Sequence, residues 1–124
     1  MINSDKLVKS FGYAFEGIRF AFKNNQNLKI NFLMSTVVIG ASFFFQVNTF
    51  EKGILGVMIL LLACTEMINT AIEEMVNFVT REHALEAKIA KDVAAGMVLL
   101  VLIGYLIVVG LVFKPYIIKF LNLN

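Results

Sequence analysis

The chain of 124 residues has no tryptophan, one cysteine, one proline and one histidine. A lone Cys64 excludes an internal disulfide and leaves the redox compartment open. One His and one Cys also argue against a thiolate or imidazole zinc site. Charge is scarce: 16% of residues carry it, and eleven Lys and Arg against nine Asp and Glu leave a formal net charge of +2. The basic residues are dispersed, so the clustered phosphate-neutralising footprint of a nucleic-acid partner is absent. There is no internal repeat, low-complexity tract or Pro- and Gly-rich linker, and the length suits one domain over residues 1–124.

Apolar residues make up the difference. They account for 59% of the chain, with a mean hydropathy of +0.80. A soluble domain this small has too little interior to hide that much apolar surface, so lipid is the expected solvent. Three segments meet the requirement of about 20 mostly apolar residues for crossing a bilayer, at 28–47, 53–79 and 93–113. The third carries no charge, and Pro115 two residues later is expected to end its helix. The first long apolar run begins near Phe32 with no small-residue cleavage pattern, so no cleavable signal peptide is expected. Helices are the expected form, because hydrocarbon cannot satisfy open backbone groups.

Residues 4–24 have a different pattern. Leu7, Phe11, Phe15, Ile18 and Phe22 recur at steps of four, four, three and four, with Lys9, Glu16, Arg19 and Lys23 opposite. This predicts an amphipathic helix lying in the membrane interface. The fold class is therefore all-α: an integral membrane protein with three transmembrane helices and an N-terminal interfacial helix. With three crossings, Lys6, Lys9, Arg19, Lys23, Lys29, Arg81, Lys88 and Lys91 share one side, against Lys52, Lys114 and Lys119 on the other. Eight against three predicts that the N-terminus and the 80–92 loop are cytoplasmic.

The second span holds carboxylates. Glu66, Asn69, Glu73 and Asn77 follow one another at steps of three, four and four, which puts them in one sector of a helix. Glu66 and Glu73 are about 10 Å apart along the axis. Such a stripe must face protein or a wet cavity, since charge in hydrocarbon costs at least a few kcal/mol. Three explanations fit the spacing: hydrogen-bonding glue between helices, a proton or ion path, and a catalytic site at the interface. Glu73, Glu74 and Asn77 lie beside the charged loop, whereas Glu66 is seven residues deeper. Phosphoryl transfer from a nucleotide to a lipid alcohol needs that layout, with a metal-binding carboxylate at the phosphates and a base nearer the alcohol.

The wording of the motif narrows the choice. EMINTAIEEMVN at 66–77, followed by KDVAAGMV at 91–98, closely resembles the prokaryotic diacylglycerol kinase family, which includes the undecaprenol kinases of Gram-positive bacteria. There the pattern reads ExxNxAIExxVD and then AKDxAAGAV. SFGYAFEGIRFAF at 10–22 is similar to the family's opening helix. The resemblance implies a homotrimeric kinase of the bacterial inner membrane that uses ATP and Mg²⁺ to phosphorylate a lipid hydroxyl. The chain has neither a GxxxxGK[ST] loop nor HRD and DFG motifs, so the usual phosphate cradles are absent.

Carried over by position, the resemblance makes Glu66 the general base, with Asn69 and Arg19 its neighbours in the site. Glu73 is the metal carboxylate and also faces nucleotide. Lys91 and Asp92 contact nucleotide, together with Lys6, Tyr13, Glu82 and His83. Asn25 falls where the family has a second metal-linked Glu, Asn77 where it has Asp, and Asn31 where relatives carry His or Glu. A weaker or altered metal site follows, and the alternative is a weak or inactive homologue acting as a trimeric membrane protein. The NTAIE wording tilts the expected acceptor towards undecaprenol over diacylglycerol. Some residues have simpler readings: Asp92 as N-cap of the third span, Lys91 as a membrane anchor, His83 as a solvated loop residue, and Ala94, Ala95 and Gly96 as a close-packing surface.

Overall fold

The structure, a computed structural model, describes residues 1, 3–80 and 84–122. Its order is α1 (Ser4–Asn24), α2 (Gln26–Phe44), α3 (Thr49–Val79) and α4 (Leu85–Phe120). Among the described residues every regular element is an α-helix. α2, α3 and α4 are each long and apolar enough to cross a membrane.

Local chemistry sets the ends of these helices. Asn3 caps α1, its side chain accepting from the Lys6 amide at 3.2 Å, and Asp5 and Lys23 complement the dipole at either end. Asn25 alone separates α1 from α2. Its extended backbone (φ −102, ψ 109) closes the first helix, and its Oδ1 accepts from the Leu28 amide at 3.0 Å to open the second. At the far end α2 stops at Phe44. The Gln46 amide donates to the Phe43 carbonyl and the Val47 amide to the Ser42 carbonyl, with Gln46 left-handed at φ 54. This is a Schellman stop, which leaves Val47 buried outside the helix. Asn48 then caps α3, accepting from the Glu51 amide at 2.8 Å.

α3 packs chiefly along α4, and α2 lies against α3. One core cluster joins Val47, Leu55, Val112 and Phe113 at the end with the α2–α3 turn, and a second joins Leu62, Val98 and Tyr105. By contrast Ala21 is the one buried residue of α1.

α4 departs from the expected 93–113 at both ends. It begins at Leu85, so Asp92 stands two turns inside the helix and the N-cap is Ala84, which makes no side-chain cap. Asp92 instead pairs with Lys88 one turn earlier. The polar turns EAKIAKD propagate a helix as readily as apolar ones, which hydropathy alone does not register. Pro115 does not end the helix, which continues to Phe120. Contacts beyond the proline hold the last turns: the Tyr116 hydroxyl donates to Glu51 Oε2 at 2.6 Å, and the Phe120 ring meets Phe44 and Phe45 at 5.9 and 5.6 Å. Gly96 is no close-packing point within the chain, since a Cβ there would meet nothing within 4 Å.

Candidate active site

At 1.5 Å per residue, the 31 residues of α3 span about 46 Å and the 36 of α4 about 54 Å, both longer than a hydrocarbon core of about 30 Å. The polar stripe of α3 therefore runs from deep in the helix contact out to its projecting end. Glu66 is 1% exposed, Asn69 and Thr70 are buried beside it, and Glu73 and Asn77 are exposed further along.

Both oxygens of Glu66 are engaged. Asn25 Nδ2 donates to Oε2 at 3.0 Å, and Asn31 Nδ2 donates to Oε1 at 3.0 Å. Asn25 Nδ2 also reaches Thr70 Oγ1 at 2.9 Å, while the Thr70 hydroxyl donates to the Glu66 carbonyl at 3.0 Å. One turn on, Asn69 Nδ2 donates to Glu73 Oε1 at 3.2 Å. The Asn69 Oδ1 is buried without a partner. At the exposed end Lys91 Nζ donates to Asn77 Oδ1 at 2.7 Å, drawing α4 to the tip of the stripe. Among the described residues no three His, Cys, Asp or Glu gather into a metal-binding group.

Glu66 and Asn69 open into a cleft of about 370 Å³ bounded by α2, α3 and α4. Asn27 and Ala95 line it towards the α3–α4 connection, and Met34, Leu102 and Leu106 line it towards the opposite end of the bundle. From Ala95 to Leu106 it follows α4 for about 16 Å. A polar centre thus sits in a wall that is otherwise aliphatic.

The residues singled out in the sequence fall into four groups. Asn25 bonds to Glu66, Asn69 to Glu73 and Lys91 to Asn77, three pairs in succession along one face of α3. Asp92 lies on the same end of α4, held by Lys88. Lys6, Tyr13 and Arg19 are exposed on α1 and do not line the cleft; Arg19 borders a separate surface hollow with Phe15, Phe22, Lys23 and Lys29. Glu82 and His83 lie outside the described residues. Thr70 is not among the expected site residues, and Asn31 is there only as a departure from the family's pattern. The available signal was that a buried carboxylate needs donors, and the stretch opening the first span supplies Asn24, Asn25, Asn27 and Asn31.

The match to known proteins follows these elements. The family model described as prokaryotic diacylglycerol kinase matches residues 12–113, from within α1 to the later turns of α4. A protein of Synechocystis named diacylglycerol kinase is 36% identical over 110 residues, covering 88% of this chain, which spans 63% of that protein's length. An undecaprenol kinase of Bacillus subtilis is 31% identical over 111 residues, covering 90% of both chains. A diacylglycerol kinase of Haemophilus influenzae is 28% identical over 97 residues, covering 77% of this chain and 81% of its own. The family-model match takes in Glu66, its two amide donors and the Lys91 end of the stripe together, and on that extent the chain belongs to the prokaryotic diacylglycerol kinase family.

Proposed function

We propose that the protein transfers the γ-phosphoryl group of ATP to the hydroxyl of a membrane lipid alcohol. The observation that carries this reading is Glu66, a buried carboxylate on the wall of an aliphatic cleft, on the same helix face as polar groups that lead outward. Both relatives' substrates, undecaprenol and diacylglycerol, are long apolar bodies with one terminal hydroxyl. Such a molecule can lay its body along Met34, Leu102 and Leu106 and bring its hydroxyl to Glu66.

Glu66 then accepts the hydroxyl proton as the alcohol oxygen bonds to the γ-phosphorus and the bond to the bridging oxygen of ADP breaks. Lys91 contributes positive charge on the nucleotide side, where phosphoryl transfer asks mainly for positioning and electrostatic stabilisation. Its partner Asn77 is neutral, so the ammonium charge is not cancelled. Asp92, Lys6, Tyr13, Glu82 and His83 complete the nucleotide side in this reading, with Glu82 and His83 supplied by the α3–α4 connection, and Arg19 belongs with Asn69 to the substrate side.

The oxygens present suit Mg²⁺, which takes one or two protein carboxylates and fills the rest of its octahedron with water and phosphate. Glu73 offers the carboxylate, and the orphaned Asn69 Oδ1 one turn away offers an uncommitted oxygen. When bound there, the ion would neutralise phosphate charge and orient the transferring group.

The same reading puts the chain in the bacterial inner membrane as a single kinase domain and a homotrimer, with the N-terminus and the α3–α4 connection cytoplasmic. α1 lies in the interface: Phe11, Phe15 and Phe22 are exposed, and lipid is the solvent that would cover them.

Purified protein in mixed micelles with Mg-ATP is expected to transfer labelled phosphate to undecaprenol or diacylglycerol, and competition between the two alcohols identifies the preferred one. Glu66→Gln is expected to lower turnover about 10²- to 10⁴-fold, the range of a lost general base. Absence of transfer to either alcohol would remove the proposal.

A further inference from the structure

Glu66 sits at 1% exposure, yet among the described residues no cation pairs with it. Among the described residues the one ion pair is Lys88 with Asp92, at the exposed end of α4. A buried carboxylate without hydrogen bonds is prohibitively costly, and here two neutral amides meet the need, one on each oxygen. They come from different turns. Asn25 is the junction between α1 and α2, and Asn31 lies six residues on, buried within α2.

Asn25 is committed at both ends of its amide. Its oxygen takes the Leu28 amide hydrogen at 3.0 Å, capping α2, and its nitrogen serves Glu66 and Thr70. An amide ligates a cation only through its oxygen, and that of Asn25 already gives one of its two lone pairs to the α2 cap and, unlike a carboxylate, brings no charge to a cation. On the other side, a carboxylate has about four lone-pair positions. With one on each oxygen taken by an amide, those left over are available to a hydroxyl in the cleft, which Glu66 also lines.

We propose that Asn25 and Asn31 are positioning residues for Glu66, fixing the direction in which its carboxylate takes a proton, and that Asn25 is not a metal ligand, the divalent ion being held from the Glu73 side alone. The positioning role rests on the reading of Glu66 as the base. Because Asn25 also ends α1, a displacement of that helix is transmitted to Glu66 through one side chain.

Three measurements test this. Mn²⁺ titrated into the purified protein with ADP and followed by electron paramagnetic resonance reads the ion directly. Its dissociation constant should stay within about twofold in Asn25→Ala and rise about 10- to 100-fold in Glu73→Gln. An equal rise in both overturns the assignment. In turnover, Asn25→Ala and Asn31→Ala should each lower kcat about 10- to 100-fold with the KM for ATP within about twofold. A change confined to KM overturns the positioning role.

The third measurement needs no activity. Asn31→Asp sets two carboxylates against each other and should lower the melting temperature, whereas the double variant Asn31→Asp with Glu66→Gln restores a donor–acceptor pair and should recover it. A double variant no more stable than Asn31→Asp overturns the clamp. A native protein that phosphorylates no lipid removes the functional reading and the positioning role with it, while the Mn²⁺ and melting results still decide what Asn25 and Asn31 hold.

Discussion

At the scale of single residues, Glu66 links stability to function. Changing the acceptor strands the Asn31 amide, whose one side-chain bond among the described residues is to Glu66, whereas Asn25 keeps its bond to Thr70. Each stranded donor costs about 1–3 kcal/mol. Glu66→Gln keeps one oxygen for one asparagine and turns its own NH₂ against the other, whereas Glu66→Ala removes both bonds, leaves Asn25 only Thr70, and opens a void. Thermal unfolding in detergent should therefore rank native above Glu66→Gln above Glu66→Ala. At the other end of the stripe, Lys91→Met should raise the KM for ATP about tenfold, and Asn77→Ala should raise it less, because the ammonium loses its tether but keeps its charge. Steady-state kinetics over a range of ATP concentration separates the two. The carboxylates and Asn69 were legible in the sequence because a helical stripe repeats at three and four. Asn25 and Asn31 stood out only by the resemblance, and their role as donors to Glu66 was not legible, because they are 41 and 35 positions from it and only the packing of α2 on α3 joins them.

At the scale of elements, the turn between α2 and α3 carries a separable cost. Gln46 is exposed, makes no side-chain hydrogen bond and holds φ 54, a conformation that disfavours any side chain with a Cβ. Gln46→Gly should stabilise the protein by about 1 kcal/mol. Two residues on, Asn48→Ala removes a cap and should destabilise by about 1 kcal/mol. Unfolding titrations read both, and opposite signs from neighbouring positions argue against a general loosening of the turn. The existence of the three long helices was plain from apolar length alone. Their ends were not: hydropathy stops at the last greasy residue, while the helical hydrogen-bond ladder stops at a cap. Thus α2 ends before Val47 despite that residue's apolar character, and α4 starts eight residues ahead of its apolar stretch. Pro115 was legible as a helix breaker, but its exposed position and the Tyr116 and Phe120 contacts outweigh the lost hydrogen bond.

For the molecule as a whole, the proposed chemistry makes sense in only one orientation. The long helices project from the hydrocarbon, and the projecting end with Glu73, Asn77 and Lys91 must face the compartment that holds ATP. The basic residues favour that arrangement, eight on the side of the α3–α4 connection against three on the other. Glu86 in the first turn of α4 and Thr49 in the first turn of α3 lie at opposite ends of the bundle. Each can report orientation as a single cysteine once Cys64 is replaced by alanine. In intact spheroplasts a membrane-impermeant maleimide should label Thr49→Cys and spare Glu86→Cys, and in inverted vesicles the pattern should reverse. Labelling of Glu86→Cys from outside would put the carboxylate stripe in a compartment without nucleotide. A kinase reading would then have no source of phosphate, however well Glu66 is held.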